Sequence, residues 1–228
     1  MFRSIWRTVD RSVLRDVSPI ALTAVVTGAS FGAIAVSSGT PVWLVCAMSV
    51  LVFAGGSQFM VVGIVAGGGS PLAAVLAGLV LNARHLPFGL AIGDLLGTRL
   101  ATRVLGSHLM VDESVAFALA QREPARARAA FWTCGAALFL TWNAGCLAGA
   151  LVGQAIGDPG RFGIDAAFPA AMLALVLPAL REPTTLRVAM AGAAIAVATS
   201  PFLPPGVPIL LALGGLVLAG RVPAAVAR

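Results

Sequence analysis

The sequence predicts an all-α polytopic membrane protein, and its composition and charge distribution carry that prediction. Hydrophobic residues make up 59% of the 228 residues and charged residues only 11%, whereas soluble domains carry about 25% charged residues. Mean hydropathy is +0.96. Residues 17–83 contain no Asp, Glu, Lys or Arg. Such a chain would expose large apolar patches in water, so we expect one transmembrane domain over residues 1–228.

The first element is a basic, amphipathic segment at residues 1–16. Its arginines recur every four residues and therefore share one face of a helix: Arg3, Arg7, Arg11 and Arg15. Such a face suits an anionic lipid surface. The net charge of +6 reflects arginines that flank apolar runs, so we read it as cytoplasmic anchoring and expect no nucleic-acid partner.

About seven apolar segments follow, separated by Gly- and Pro-rich turns. A helix needs about 20 apolar residues to cross a lipid core of roughly 30 Å. The segments cover about residues 17–38, 41–66, 71–97, 130–156, 164–180, 184–203 and 206–222. Between the third and fourth lies a polar loop, 98–129, with five arginines and three acidic residues. We expect one short helix in that loop, over 112–121.

At least one segment is predicted to be broken or re-entrant. The amino terminus, the 98–129 loop, the 181–187 turn and the carboxyl terminus are rich in arginine, and Arg161 alone marks the other side. The positive-inside rule places these four regions in the cytoplasm, which requires an even number of crossings before residue 98. Three segments precede it. We therefore expect the interrupted 71–97 segment to be re-entrant, unless the rule fails for this loop.

The two halves also show a faint internal similarity. ALTAVVTGASFGAIAV is followed by FAGGSQFM in the first half, and LTWNAGCLAGALVG by AAFPAAMLAL in the second. Interrupted segments in corresponding halves often mark the central site of a transporter. Chance likeness between helices rich in Gly and Ala explains the pattern equally well.

The first candidate site lies in mid-segment, at Gly55, Gly56, Ser57 and Gln58. Adjacent glycines favour local unwinding, which frees backbone groups that a zwitterionic substrate can satisfy. The alternative is close helix packing through small residues, with Gln58 bonding between helices.

A second candidate cluster is Asn82, Arg84 and His85. A charged side chain inside the bilayer costs at least ~2.5–3.5 kcal/mol, so a buried Arg84 needs a partner. The candidate partners, all acidic, are Asp94, Asp112 and Glu113. Otherwise Arg84 extends to the membrane surface. His85 either carries protons or is a neutral, hydrogen-bonded histidine, and we expect His108 to be solvated in the polar loop.

Trp142 and Asn143 lie too deep in the fourth segment for an interfacial belt. Trp142 is a candidate wall for an apolar side chain and Asn143 a candidate partner for a polar head group, with ordinary packing as the alternative. We expect Asp158 and Asp165 to be turn and cap residues.

Catalytic and cofactor motifs are absent from the sequence. It has no GxxxxGK[ST] loop, no HExxH and no CxxC, and its three cysteines lie in apolar segments. We therefore expect no enzyme activity, no cofactor and no metal site.

Finally, the stretch FAGGSQFMVVGIVAGGGSPLAAVLAGLVLNARHLPFGLAIGD resembles the hallmark region of AzlC-type proteins. The matching positions are Phe53, Ala54, Gly55, Gln58, Phe59, Ser70, Pro71, Leu81, Asn82, Arg84, His85, Gly89 and Leu90. Further matches are Asp112, Glu113, Trp142, Gly145, Gly149, Asp158, Pro159, Gly163, Asp165, Pro169 and Ala170. The order of these motifs is kept over roughly residues 15–215.

The resemblance implies a secondary transporter subunit in the bacterial cytoplasmic (inner) membrane. It implies export of leucine, isoleucine, valine and, as a further candidate, methionine, driven by the proton motive force together with a small AzlD-type subunit. Pro87 and Phe88 stand where relatives often carry an aliphatic residue and a tyrosine, which bears on selectivity. The alternatives are export of another small metabolite on the same scaffold, or a non-transporting scaffold subunit.

Overall fold

The computed structural model describes residues 11–156, 173, 176–204 and 206–221, and all regular secondary structure in these residues is helical. The α-helices are α1 (Arg11–Ser37), α2 (Val42–Leu51), α3 (Gly55–Ala66), α4 (Pro71–Asn82), α5 (His85–Ile92), α6 (Leu100–His108), α7 (Asp112–Leu119), α8 (Pro124–Ile156), α9 (Pro183–Thr199) and α10 (Val207–Leu211). Short 3-10 segments cover Gly93–Leu96, Ala179–Arg181 and Ala212–Arg221. The all-α prediction is confirmed.

Several expectations concern residues outside the described ranges. These are most of the basic amino-terminal segment, most of the fifth apolar segment, Arg161, and the two expected turn and cap residues Asp158 and Asp165. The second block of the proposed repeat falls largely in the same gap, so the repeat stays a prediction.

Helices α1 and α8 form the centre of the fold. They approach closely because small residues face one another, the usual way in which helices associate in lipid. A methyl group at Gly28 would lie 2.7 Å from the carbonyl oxygen of Trp142, and one at Gly149 would overlap the carbonyl oxygen of Ala29. The described part of α1 also begins before the expected first span, and Val13 is buried in the core, so this part of the helix does not simply lie on a membrane surface.

The second apolar segment is interrupted. We expected it to span residues 41–66, but α2 has 10 residues and α3 has 12, lengths of about 15 and 18 Å, and neither crosses a core of roughly 30 Å alone. The chain leaves the helix at residues 52–54, where Phe53 has a φ of 42°, a left-handed conformation that is strained for an aromatic residue. The glycine pair was expected to unwind; instead it begins α3, directly after the break.

The 71–97 segment is more continuous than expected. Ser70 caps α4 by accepting a hydrogen bond from the backbone N–H of Ala73, and Pro71 occupies the first turn. Ala83 and Arg84 keep right-handed helical dihedral angles, so the turn between α4 and α5 does not reverse the chain. In the described residues, Pro71–Leu96 is one of three helical runs long and apolar enough to cross a membrane, with Val13–Ser37 and Pro124–Ala155. Because this run is long enough to cross the membrane, its length gives no reason to expect a re-entrant segment.

Residues 98–129 are mostly helical, where we expected a loop with one short helix. They contain α6 and α7, and α8 begins at Pro124, six residues before the expected start. Leu109, Met110 and Val115 are buried against the core, while the arginines at 99, 103, 122 and 126 are exposed. The segment therefore buries part of its apolar surface, while other apolar residues, such as Leu100 and Leu119, remain exposed.

The carboxyl-terminal helices form a hairpin beside α4. Glu182 caps α9, since its carboxylate accepts hydrogen bonds from the hydroxyl of Thr185 and from the backbone N–H groups of Thr184 and Thr185. These hydrogen bonds lower the pKa of the Glu182 carboxyl to about 2. Leu210 of α10 packs on a small apolar cluster formed by α3 and α4.

Candidate functional site

A cavity of about 200 Å³ lies beside the break between α2 and α3. It is smaller than the roughly 300–1,000 Å³ typical of sites for drug-sized ligands, which suits a small metabolite. Its lining comes from five parts of the chain: Ile20, Thr23, Ala24 and Thr27; Phe53, Ala54, Gly55, Gly56 and Phe59; Arg84; Val111, Asp112 and Glu113; Leu138 and Trp142.

The apolar wall of the cavity is built on stacked aromatic rings. Phe31 stacks on Trp142 with ring centroids 6.1 Å apart, and Phe59 meets both rings edge-on at 5.3 and 6.5 Å. Trp142 is only 8% exposed, and a methyl group at Gly55 would lie 2.8 Å from its Cη2. Glycine at position 55 therefore lets the backbone rest against the indole. The structure brings Trp142 to the cavity, as expected for a pocket wall.

The amino terminus of α3 also borders the cavity. The residue before it, Ala54, has no side chain able to cap the helix, and Gly55 and Gly56 both line the cavity. The first backbone N–H groups of a helix have no acceptor within that helix, and together they carry about half a positive charge. This end of α3 is therefore suited to an anionic group such as a carboxylate.

Three ionisable side chains complete the lining. The Nη1 of Arg84 lies 2.6 Å from Oδ2 of Asp112, and the two side chains remain 36% and 43% exposed. Glu113 is exposed and makes no ion pair within the described part of the chain. One cationic and two anionic groups therefore surround the cavity.

The acid that pairs with Arg84 is Asp112, not Asp94. Asp94 is exposed and does not line the cavity; its backbone carbonyl accepts a hydrogen bond from Arg128, whose Nε also bonds the carbonyl of Leu95. Asp94 was nearer in sequence, but the 3-10 segment in which it lies directs its backbone toward the start of α8.

Asn82 and His85 lie behind the cavity lining. Ser57 Oγ donates to Oδ1 of Asn82. His85 Nδ1 donates to the backbone carbonyl of Asn82 at 2.9 Å, because that carbonyl oxygen can only accept. These contacts join α3 to the turn that carries Arg84. Neither Asn82 nor His85 reaches the cavity surface, so the structure does not place them in the direct lining that we expected them to complete.

Gln58 is fully buried, and neither its amide nitrogen nor its amide oxygen has a hydrogen-bond partner in the described residues. A buried amide without partners is costly. Gln58 does not line the cavity, so the interhelical bond that we considered for it is not present among these residues.

Asn143 joins two helices and does not face the cavity. Its Oδ1 accepts from Ser49 Oγ at 2.7 Å, and its Nδ2 donates to the carbonyl of Phe139 at 2.8 Å. Both ends of the amide are therefore occupied. These contacts fit the alternative of ordinary packing between α2 and α8, and a head-group role for Asn143 stays a prediction.

His108 was expected to be solvated; it is partly buried and also makes a contact within the protein. Its Nε2 donates to the carbonyl of Val50 at 2.8 Å, in the last turn of α2. Its ring lies near Phe53 at 6.1 Å and Phe139 at 5.6 Å. His108 thus attaches α6 to the start of the break and, through Phe53, to the cavity wall.

The sequence reading missed the contribution of α1. Ile20, Thr23, Ala24 and Thr27 follow the i, i+3, i+4, i+7 spacing of one helical face, and all four line the cavity. The two threonines at this spacing, within a span of mostly aliphatic residues, were the available signal.

A small, largely apolar cavity with a few charged groups, placed beside an interrupted helix of a helical membrane protein, is the arrangement typical of membrane transporters. A family model described as "AzlC protein" matches residues 19–156, more than half of the chain, and all residues that line the cavity fall within that range. The chain belongs to the AzlC family, a membrane family associated with the transport of branched-chain amino acids. Comparison with curated proteins and with solved structures gave no match.

Proposed function

We propose that this protein is the large subunit of a secondary transporter that exports branched-chain amino acids. The observation that carries the proposal is the cavity, which combines an apolar wall, an open helix amino terminus and three charged side chains. An α-amino acid with an aliphatic side chain presents the matching groups: one carboxylate, one ammonium and one branched hydrocarbon.

The apolar wall of the cavity suits several related aliphatic amino acids. Phe53, Phe59 and Leu138 offer hydrocarbon surface without a hydrogen-bonding pattern for the substrate's side chain. An apolar pocket distinguishes one methylene group by only about 1–3 kcal/mol. Leucine, isoleucine and valine are therefore expected to share the site, with methionine as a further candidate, whereas the small volume disfavours large aromatic amino acids.

The polar groups support recognition of the head group. The amino terminus of α3 at Gly55 and Gly56 favours the carboxylate, and the acidic pair Asp112 and Glu113 favours the ammonium. Because glycine has no side chain, the start of α3 allows the substrate to approach the backbone closely.

Membership in the AzlC family supports the energy source and the partner that we propose. We propose export driven by the proton motive force, in a bacterial inner membrane, together with a small AzlD-type subunit. Asp112, Glu113 and His85 are the proposed proton carriers.

The amino terminus is proposed to be cytoplasmic. The runs Val13–Ser37 and Pro71–Leu96 provide two crossings before residue 98, and the interrupted α2–α3 segment then adds none. Labelling of an introduced cysteine at the exposed Ser107, in a variant without the native cysteines, tests this placement: access only from outside contradicts it.

The substrate is tested by filling the cavity. Ala24 lines it, so Ala24→Phe is expected to block export, whereas Ala136→Phe introduces the same ring at an exposed position of α8. Cells that co-express the protein with its small subunit are loaded with a leucine-containing dipeptide, and leucine release is measured at equal membrane abundance.

We expect the wild type and Ala136→Phe to release leucine, and Ala24→Phe to lose most of that release. Collapse of the proton gradient is expected to stop it. If the wild type releases no branched-chain amino acid but does release another metabolite, the proposed substrate is wrong. Equal release by all three proteins contradicts the assignment of the cavity.

A further inference from the structure

In the ion pair between Arg84 and Asp112, each side chain keeps a polar atom that forms no hydrogen bond within the described residues. One contact joins them, from Nη1 to Oδ2 at 2.6 Å. The remaining Nε of Arg84 and Oδ1 of Asp112 are both buried, and neither has a hydrogen-bond partner in the described residues. Arginine and carboxylate groups often form two parallel hydrogen bonds instead, which would satisfy both.

The position of this pair connects it to the substrate. Both residues line the cavity, and they lie on different elements: Arg84 in the turn between α4 and α5, Asp112 at the start of α7. Opening the pair requires only that these two side chains separate. In this arrangement each partner neutralises the other, which lowers the cost of keeping two charges in a membrane protein.

We propose that the substrate's own charges replace this ion pair: the carboxylate binds Arg84, including Nε, and the ammonium binds Asp112, including Oδ1. This inference rests on the proposed function and names its head-group site. An α-amino acid supplies the acceptor and the donors that the two buried atoms lack. It is also electrically neutral overall, so the exchange brings no net charge into the cavity.

The consequence is a requirement for both charges on the ligand. A ligand with only an ammonium or only a carboxylate satisfies one partner and leaves the other charged and unpaired. Sites with buried polar groups reject ligands that lack the matching group by large factors, up to about 10⁴–10⁵. The Arg84–Asp112 pair therefore selects zwitterions, and the apolar wall selects among them.

The first test uses the unaltered protein, purified with its small subunit, and displacement of radiolabelled leucine. The competitors are leucine, 3-methylbutylamine, which lacks the carboxylate, and 4-methylpentanoate, which lacks the ammonium. We expect each single-charge analogue to require at least ~100-fold higher concentration than leucine. An analogue that competes as well as leucine overturns the inference.

The second test separates head-group binding from a purely structural ion pair. The reversed pair Arg84→Asp with Asp112→Arg can restore the contact between the elements, but the amino terminus of α3 keeps its direction and still favours the carboxylate in its original place. We expect this variant to recover abundance and thermal stability relative to the single variants, but to bind leucine at least ~10-fold more weakly than the wild type. Wild-type leucine binding by the reversed pair overturns the inference.

The chain offers a matched control in the exposed pair Arg15–Asp16, whose side chains are 82% and 54% exposed. Arg15→Gln with Asp16→Asn is expected to leave leucine binding unchanged. If the wild type binds no leucine but binds another zwitterion, with the same loss for single-charge analogues, the proposed substrate fails and the head-group site stands. If it binds no zwitterion, both fail.

Discussion

The contact between Gly55 and Trp142 allows a quantitative prediction. In Gly55→Ala the new methyl carbon would lie 2.8 Å from Cη2 of the indole, and ordinary contact begins at 3.4 Å, so the two must separate by about 0.6 Å. The indole cannot move freely, because Phe31 stacks on it and Gly28 packs against its backbone oxygen. Such overpacking costs about 1–3 kcal/mol.

Part of this cost is offset by the unfolded chain. Replacing glycine by alanine restricts the unfolded state and stabilises a protein by about 0.4–1 kcal/mol where the backbone conformation allows it. Gly93→Ala measures that gain by itself, because no atom outside its own neighbourhood lies within 4 Å of the added methyl group. We therefore expect Gly55→Ala to be less stable than Gly93→Ala by about 1–3 kcal/mol, which corresponds to roughly 2–12 °C in melting temperature.

The assay is thermal unfolding of the purified protein in detergent, combined with a double-mutant cycle. Trp142→Phe removes the outer ring that the methyl group meets, so Gly55→Ala should cost at least ~1 kcal/mol less in that background. Equal costs in both backgrounds would refute the packing explanation. A Gly55→Ala protein as stable as Gly93→Ala would refute it as well.

Three further predictions concern other parts of the molecule. Gly149→Ala places a methyl group on the carbonyl oxygen of Ala29 and should reduce stability by at least ~1–3 kcal/mol; a melting temperature equal to that of Gly93→Ala contradicts the close α1–α8 contact. His108→Phe keeps a ring between its aromatic neighbours but removes the donor to the exposed Val50, so it should cost about 0.5–1.5 kcal/mol, and an unchanged melting temperature argues against the hydrogen bond. The Glu182 cap has a folded-state pKa of about 2, below the ordinary value of 4.5, so its contribution is complete above pH 4.5 and is lost as the pH falls toward 2. The stability difference between wild type and Glu182→Gln should shrink across that window, and a difference that is constant or grows on acidification contradicts the cap.

Local sequence features predicted the helices well where the apolar composition of a segment is enough to make it helical in a membrane. The apolar runs predicted helices, because a span in lipid must satisfy its backbone hydrogen bonds internally. The third and sixth segments were expected to begin near residues 71 and 184, and the structure begins α4 at Pro71 and α9 at Pro183. The break in the second segment was predicted near the glycine pair and lies directly before it. In contrast, the buried face of residues 98–129 was missed because the eight charged residues of this segment favoured its interpretation as a loop.

The candidate site was predicted only in part. Six of the expected residues come together at the cavity: Gly55, Gly56, Arg84, Asp112, Glu113 and Trp142. The other six do not line it: Ser57, Gln58, Asn82, His85, Asp94 and Asn143. The residues outside the lining are not distinguished by type, since each is polar in a largely apolar sequence, as are Arg84, Asp112 and Glu113; their functional roles stay predictions. They differ in which side of their helix faces the cavity, and that depends on how neighbouring helices pack.

By itself, the sequence determined that this chain is a helical membrane protein with polar clusters near residues 55–58, 82–85 and 112–113. Composition and helical periodicity are properties of a short stretch of sequence, so they can be determined without knowing which residues are close in space. Only the tertiary structure decided that Arg84 pairs with Asp112, 28 residues away, and not with Asp94, which is nearer in the sequence. An ion pair forms between groups that packing brings within a few ångströms, and here the packing of α7 on α8 carries Asp112 to the turn that holds Arg84.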